Sequence, residues 1–112
     1  MTSGATEATQ ICELDDIVPD TGVAARIGGR HVAVFRIGAD RLHAIDNVDP
    51  KTGASVLARG LVGNLGERLV VASPLYKHHF DLATGECLEH PELKVAVHHV
   101  RLAGRCVQVA LT

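Results

Sequence analysis

Aromatic residues are scarce. The 112-residue chain has no tryptophan, one tyrosine and two phenylalanines, 3% in all. Large aromatic side chains dominate most cores, so this core has to rest on Val, Leu, Ile and Ala. No apolar run approaches the roughly 20 residues of a membrane-spanning helix. Excess positive charge is lacking too: Lys and Arg total 11 against 13 Asp and Glu, a net charge of −2. A nucleic-acid footprint needs a clustered basic surface, and none is expected. Met1 to Gln10 is small and polar, without the basic start and apolar stretch of a secretory signal. The expected location is the cytoplasm. Neither Gly-x-x-x-x-Gly-Lys-Ser/Thr nor Gly-x-Gly-x-x-Gly occurs, so no nucleotide or flavin site is implied. Gly-x-Ser-x-Gly is missing as well, and no residue is assigned a catalytic role. The three cysteines, Cys12, Cys87 and Cys106, are widely spaced, with no Cys-x-x-Cys or Cys-x-His pair. They read as reduced thiols in a reducing compartment.

What is present fits one domain in length. A hydrophobic content of 46% excludes a disordered composition. Met1 to Gln10 reads as a flexible tail, and residues 11–112 as a single domain. Short β-rich runs follow at Ile11 to Leu14, Gly22 to Ile27, His31 to Ile37 and Arg41 to Asp46. Gly28-Gly29-Arg30 and Gly38-Ala39-Asp40 supply tight turns between them. Within the His31 run, Val32, Val34 and Arg36 take one face and Ala33, Phe35 and Ile37 the other. Asn47 to Gly66 breaks the rhythm with Pro50, Gly53, Gly60, Gly63 and Gly66. It reads as a long functional loop, with room for one helical turn within Ala54 to Leu61. Further strands are expected at Arg68 to Ala72, Lys77 to Leu82, Leu93 to Val100 and Cys106 to Leu111. The pattern predicts an all-β antiparallel fold. Its expected core includes Val34, Phe35, Ile45, Val70, Val71, Phe80, Leu82, Val97 and Val109.

Two loops carry a resemblance. Residues 73–85 read Ser-Pro-Leu-Tyr-Lys-His-His-Phe-Asp-Leu-Ala-Thr-Gly. This resembles the second metal loop of a Rieske [2Fe–2S] domain, Cys-Pro-x-His followed by Phe-Asp-x-x-x-Gly. Pro74, Phe80, Asp81 and Gly85 match; Ser73 stands at the cysteine and Tyr76 at the histidine. Residues 46–53, Asp-Asn-Val-Asp-Pro-Lys-Thr-Gly, resemble the first loop, Asn-x-Cys-Pro-His-x-Gly. Matching Asn47, Pro50 and Gly53 puts Asp49 at the cysteine and Lys51 at the histidine. The resemblance covers roughly residues 11 to 110. It implies a Rieske-like β-sandwich with both cluster-type loops at one end.

The replaced positions do not suit the cluster. A [2Fe–2S] centre takes thiolates, with imidazoles on one iron in the Rieske type. A protonated lysine has no lone pair to give, and a phenol with a pKa of about 10 is mostly neutral. No metal ligand is assigned. Two arrangements of Asp49, Lys51, Ser73 and Tyr76 stay open. They form a connected polar set in place of the metal, or they face solvent.

Seven histidines raise a separate metal question. Adjacent residues of a strand point to opposite faces. Neither His78-His79 nor His98-His99 therefore chelates one ion from extended backbone. A site needs convergence with His31, His43 or His90, which spacing does not reveal.

Finer signatures narrow the resemblance. They are Gly-Val-Ala-Ala at 22–25, Ile-Asp-Asn-Val-Asp-Pro at 45–50, Arg-Gly-Leu-Val-Gly at 59–63 and Val-Ala-Ser-Pro-Leu-Tyr-Lys at 71–77. These are similar to the small subunits of assimilatory NAD(P)H-dependent nitrite reductases, which reduce nitrite to ammonium. The resemblance implies an accessory subunit without a redox centre, docked on a large subunit that carries FAD, siroheme and [4Fe–4S] and uses NAD(P)H. Lys51, Tyr76 and Lys77 are the expected partner contacts, with Tyr76 the stronger anchor. The alternatives are a cluster-free Rieske-like interaction module of another oxygenase or reductase, and a small protein with a histidine-held metal.

Overall fold

Residues 8–112 are described by the computed structural model. The strands in chain order are β1 (Thr9–Glu13), β2 (Thr21–Ile27), β3 (Arg30–Ile37), β4 (Arg41–Asp46) and β5 (Leu61–Leu65). They continue with β6 (Arg68–Ala72), β7 (His79–Asp81), β8 (Val97–Ala103) and β9 (Cys106–Ala110). Single 3-10 turns occupy Leu14–Asp16 and Leu57–Arg59. One sheet runs β1-β9-β8-β4-β3-β2 and a smaller one runs β5-β6-β7. Every pairing between these strands is antiparallel. The all-β expectation holds.

The larger sheet is organised on β3. Its hydrogen bonds run to β2 on one side and β4 on the other, and both its faces are covered. Val32 and Val34 pack with Leu14, Ile17, Ala44, Val107 and Val109. Ala33, Phe35 and Ile37 pack with Ile45, Leu57, Val71, Phe80 and Leu82. The alternation read from the sequence is therefore correct, with a core on each face. Two-sided burial explains why Val32 to Phe35 is an unbroken apolar run, where a half-exposed strand would alternate with polar residues. β8 joins the halves of the sheet: Val97 and His98 pair with β4, and His99 to Ala103 pair with β9. The three-stranded sheet closes the Phe35 side.

Of the expected core, Val34, Phe35, Ile45, Val70, Val71, Phe80, Leu82 and Val109 are buried. Val97 is only partly buried, packed at the margin of the Phe35 cluster.

The expected strand Lys77 to Leu82 is reduced to His79–Asp81, because Lys77 N–H closes the second loop onto the Ser73 carbonyl. Other boundaries differ too. β1 begins at Thr9, so Thr9 and Gln10 belong to the sheet and not to a tail; residues 1–7 lie outside the described residues. Leu93 to Ala96 is not strand, and β8 starts at Val97. The long loop of residues 47–66 contains β5, paired with β6 through Leu61↔Ala72 to Leu65↔Arg68. Gly63 and Gly66 concealed this strand, since glycine lowers strand propensity. Gly66 (φ +63°) instead makes the β5–β6 turn.

Candidate functional site

The first loop is built around Asn47, which is buried although polar. Its backbone N–H donates to the His31 carbonyl, and its own carbonyl accepts from Val56 and Leu57. Its side-chain carbonyl accepts from Ala58 N–H at 2.7 Å, and its amide donates to Ser55 Oγ at 2.9 Å. One side chain thus ties together the two ends of the excursion over residues 47–58. Inside it, Asp49 closes the tip. The Asp49 carbonyl accepts from Thr52 and Gly53, and Oδ1 accepts from Lys51 N–H at 2.8 Å. Gly53 sits at φ +77°, a left-handed conformation that glycine adopts without steric cost.

The second loop turns just as tightly. Ser73 N–H donates to the His78 carbonyl, and Lys77 N–H donates to the Ser73 carbonyl. Lys77 holds φ +61°, unusual for a residue with a side chain. Downstream, Phe80 is core and Asp81 is a turn-former. Asp81 Oδ1 accepts from Ala83 and Thr84 N–H, and Oδ2 accepts from Arg68. Burial pushes the Asp81 carboxyl up, but the Arg68 and backbone bonds outweigh it and hold the group below its ordinary value. At Gly85 (φ +80°) a Cβ would lie 2.1 Å from the Val95 carbonyl oxygen. The Phe-Asp-x-x-x-Gly half of the motif is therefore explained by folding alone.

The two loop tips meet. Ser73 Oγ donates to Asp49 Oδ2 at 2.6 Å, and both residues are essentially inaccessible to solvent. Above this bond, Lys51 Nζ lies 5.5 Å from the centre of the Tyr76 ring, within cation–π range. The residues at the two cysteine positions thus pair with each other, and so do those at the two histidine positions. Of the two arrangements left open, the inner pair is a connected polar set. The outer pair stays at the surface, with Tyr76 60% exposed.

Beneath Tyr76 lies a residue without a motif signal. His78 is buried and stacks on Tyr76, with ring centroids 5.8 Å apart. It meets His90 edge-on at 5.2 Å and Phe80 at 6.5 Å. Its Nε2 is buried without a hydrogen-bond partner among the described residues. The other histidines are dispersed. His98 is buried; Thr112 N–H donates to its Nδ1, so Nε2–H is the donor to Asp46 Oδ1 at 2.8 Å. His99, its neighbour, is exposed on the other face. His79 pairs with Glu89 at 2.6 Å. Among the described residues no three His, Cys, Asp or Glu side chains converge as a metal site. The three cysteines are free, and burial pushes the Cys87 thiol up, towards the protonated form.

A [2Fe–2S] cluster does not fit these loops. Its ligands would have to come from Asp49, Lys51, Ser73 and Tyr76. Asp49 and Ser73 already touch at hydrogen-bond distance, leaving no room for iron between them. Lys51 offers no donor pair.

The chain matches the Rieske-like [2Fe–2S] domain family over residues 7–110. It is 45% identical over 100 residues to the nitrite reductase (NADH) small subunit of Salmonella typhimurium, covering 88% of this chain and 93% of that protein. The solution structure of the Escherichia coli protein NirD superposes with a TM-score of 0.86 at 41% identity, covering 92% and 94% of the two chains. A nitrite reductase [NAD(P)H] large subunit of Klebsiella oxytoca is 41% identical over 92 residues, which are 82% of this chain and 10% of that protein. By its loops, its fold and these relatives, the chain belongs to the Rieske-like domains, and among them to the nitrite reductase (NADH) small-subunit family.

Proposed function

We propose that this chain is the accessory small subunit of an assimilatory NAD(P)H-dependent nitrite reductase, and that it works without a redox centre of its own. The observation that carries this reading is the buried Asp49–Ser73 bond. It joins the two loops where a cluster domain has metal, so the loop end is kept as a shaped surface. Nothing in the donor set of Asp49, Lys51, Ser73 and Tyr76 stores an electron at ordinary potentials.

The electron chemistry then belongs to a large subunit carrying FAD, siroheme and [4Fe–4S], with NAD(P)H as donor. Cofactors supply such chemistry and protein supplies positioning. A Klebsiella oxytoca large subunit contains a segment similar to this chain within one long polypeptide. A domain found both as a separate chain and as part of its partner is one that acts beside that partner. The reading places the complex in the cytoplasm.

Lys51, Tyr76 and Lys77 are the proposed contacts at the loop tips. Tyr76 stands out from the surface on a firm base of His78. Aromatic residues so placed are frequent hot spots.

The test is reconstitution. The small chain purified alone should be colourless and contain no stoichiometric iron or sulfide. Mixed with the large subunit it should form a stable complex and raise nitrite-dependent oxidation of the nicotinamide. Tyr76→Ala should fold but bind more weakly by about 2 kcal/mol, with diaphorase activity of the large subunit unchanged. Full nitrite reductase activity without the small chain would overturn the reading.

A further inference from the structure

We infer that the surface receiving the large subunit extends past the loop tips onto the exposed edge of the small sheet, where Leu61 is an apolar anchor and Arg59 and Lys77 receive carboxylates. This rests on the small-subunit reading and names the contact chemistry of that partner.

The first observation is Leu61. It is 79% exposed, the most exposed large hydrophobic residue among those described. It opens β5, which lies at the edge of its sheet and has hydrogen-bonding groups free for a partner. It is also rigidly placed. Gly60 packs so closely on β6 that a Cβ there would lie 2.2 Å from the Ala72 carbonyl oxygen. An anchor whose backbone is already fixed adds no loop-ordering cost on binding.

The second observation is the shape beside it. A shallow cleft of about 300 Å³ is walled by Arg59, Gly60, Leu61, Pro74, Lys77 and His79. Pro74 and Lys77 belong to the second loop, so the cleft is continuous with the tip that carries Leu75 and Tyr76. Those two are 49% and 60% exposed. Leu61, Leu75 and Tyr76 thus place at this end three of the five exposed large hydrophobic residues among those described.

The third observation is charge. The chain is net negative, yet this end presents Lys51, Arg59 and Lys77. Among the described residues none of the three has a carboxylate within salt-bridge distance. Lys77 sits in a left-handed conformation that glycine would adopt at lower cost. A lysine there fits a need for its side chain at the cleft rim, since backbone strain of this kind gathers at functional surfaces. An apolar slot rimmed by unpaired cations fits an apolar side chain of the partner flanked by Asp or Glu.

The experiment measures affinity of the full small chain for the intact large subunit. Leu61→Ser should weaken binding by about tenfold or more. Lys77→Glu combined with Arg59→Glu should do the same. Wild-type affinity should fall with added salt, because exposed charge pairs are screened. Arg41→Glu, a charge reversal at the end of β4 away from the first loop, should leave affinity unchanged. Circular dichroism and thermal unfolding confirm that each variant folds; Lys77→Gly, which removes the charge and relieves the strain, serves if the double reversal fails to fold. Wild-type affinity in Leu61→Ser, or in both the Lys77 variants, overturns the extended surface while leaving the subunit reading intact. No binding by the wild-type chain would overturn both.

Discussion

At the scale of single residues, the hydrogen bond that joins the two loop tips has a measurable consequence. Ser73→Ala leaves Asp49 Oδ2 buried without its donor. An unsatisfied buried polar group costs about 1–3 kcal/mol. The urea midpoint should drop accordingly with an unchanged denaturant slope, and a Ser73→Ala protein of wild-type stability would show that the bond contributes nothing. His78 gives the opposite case. Its Nε2 has no partner among the described residues, so His78→Phe removes a buried polar atom while keeping an aromatic ring against Tyr76 and Phe80. Stability should stay level or rise, read as an equal or higher Tm. Neither effect was legible in the sequence. Asp49 and Ser73 are 24 residues apart in the chain, and His78 resembles any other histidine of the seven.

At the scale of elements, the tips meet because the backbone beneath them is close-packed. Gly60→Ala puts a Cβ against the Ala72 carbonyl oxygen at 2.2 Å and Val71 Cγ2 at 2.7 Å. Backbone oxygen does not swing aside as a flexible side chain does. The substitution should destabilise by about 1–3 kcal/mol, as overpacking does, seen as a lower Tm. Lys77→Gly should act in the other direction on stability. It relieves a left-handed conformation worth about 1 kcal/mol, yet it removes a cation from the proposed docking rim. A variant that is more stable and binds more weakly is the expected result, measured by thermal unfolding and by titration against the large subunit.

Across the whole molecule, acid sensitivity follows from the placement of three carboxyls and one imidazole. Burial raises the Asp46 carboxyl, but hydrogen bonds from His98 and Arg30 outweigh it and hold it below its ordinary value. These bonds tie β4 to β8 and to the start of β3. Asp81 is lowered by Arg68 and backbone donors, and Glu89 by His79, in each case against burial. Their ionised forms stabilise the fold above the unfolded carboxyl range of about 4, and this is lost as pH falls through the lower folded values. His43 is lowered by burial and by Arg41. A lowered imidazole makes the unfolded chain the better proton acceptor, so stability falls as pH drops below about 6.5 towards the folded value. The expected profile is a shallow loss below pH 6.5 and a steeper one below 4. A urea midpoint constant from pH 7 to 4 would show that His43 does not contribute.

The local pattern alone was enough for most of the β architecture. Alternation over residues 31–37, glycine turns at 28–29 and 38, and apolar spacing assign β3, β4, β6 and β9 and eight of the nine expected core residues. These depend on periodicity and turn chemistry, which act over a few residues. The resemblance to Rieske loops puts Asp49, Lys51, Ser73 and Tyr76 at ligand positions, and their residue types make them donors unsuited to a cluster. Tertiary structure decided what those side chains do. It also decided that Leu61 to Leu65 is a strand in spite of its glycine, because pairing with β6 outweighs propensity. The partnership of Asp49 with Ser73, and the juxtaposition of Arg59 and Leu61 with Pro74 and Lys77, arise only when β6 brings the second loop beside the first. Contacts between residues distant along the chain depend on sheet order and packing, which no short stretch of sequence specifies.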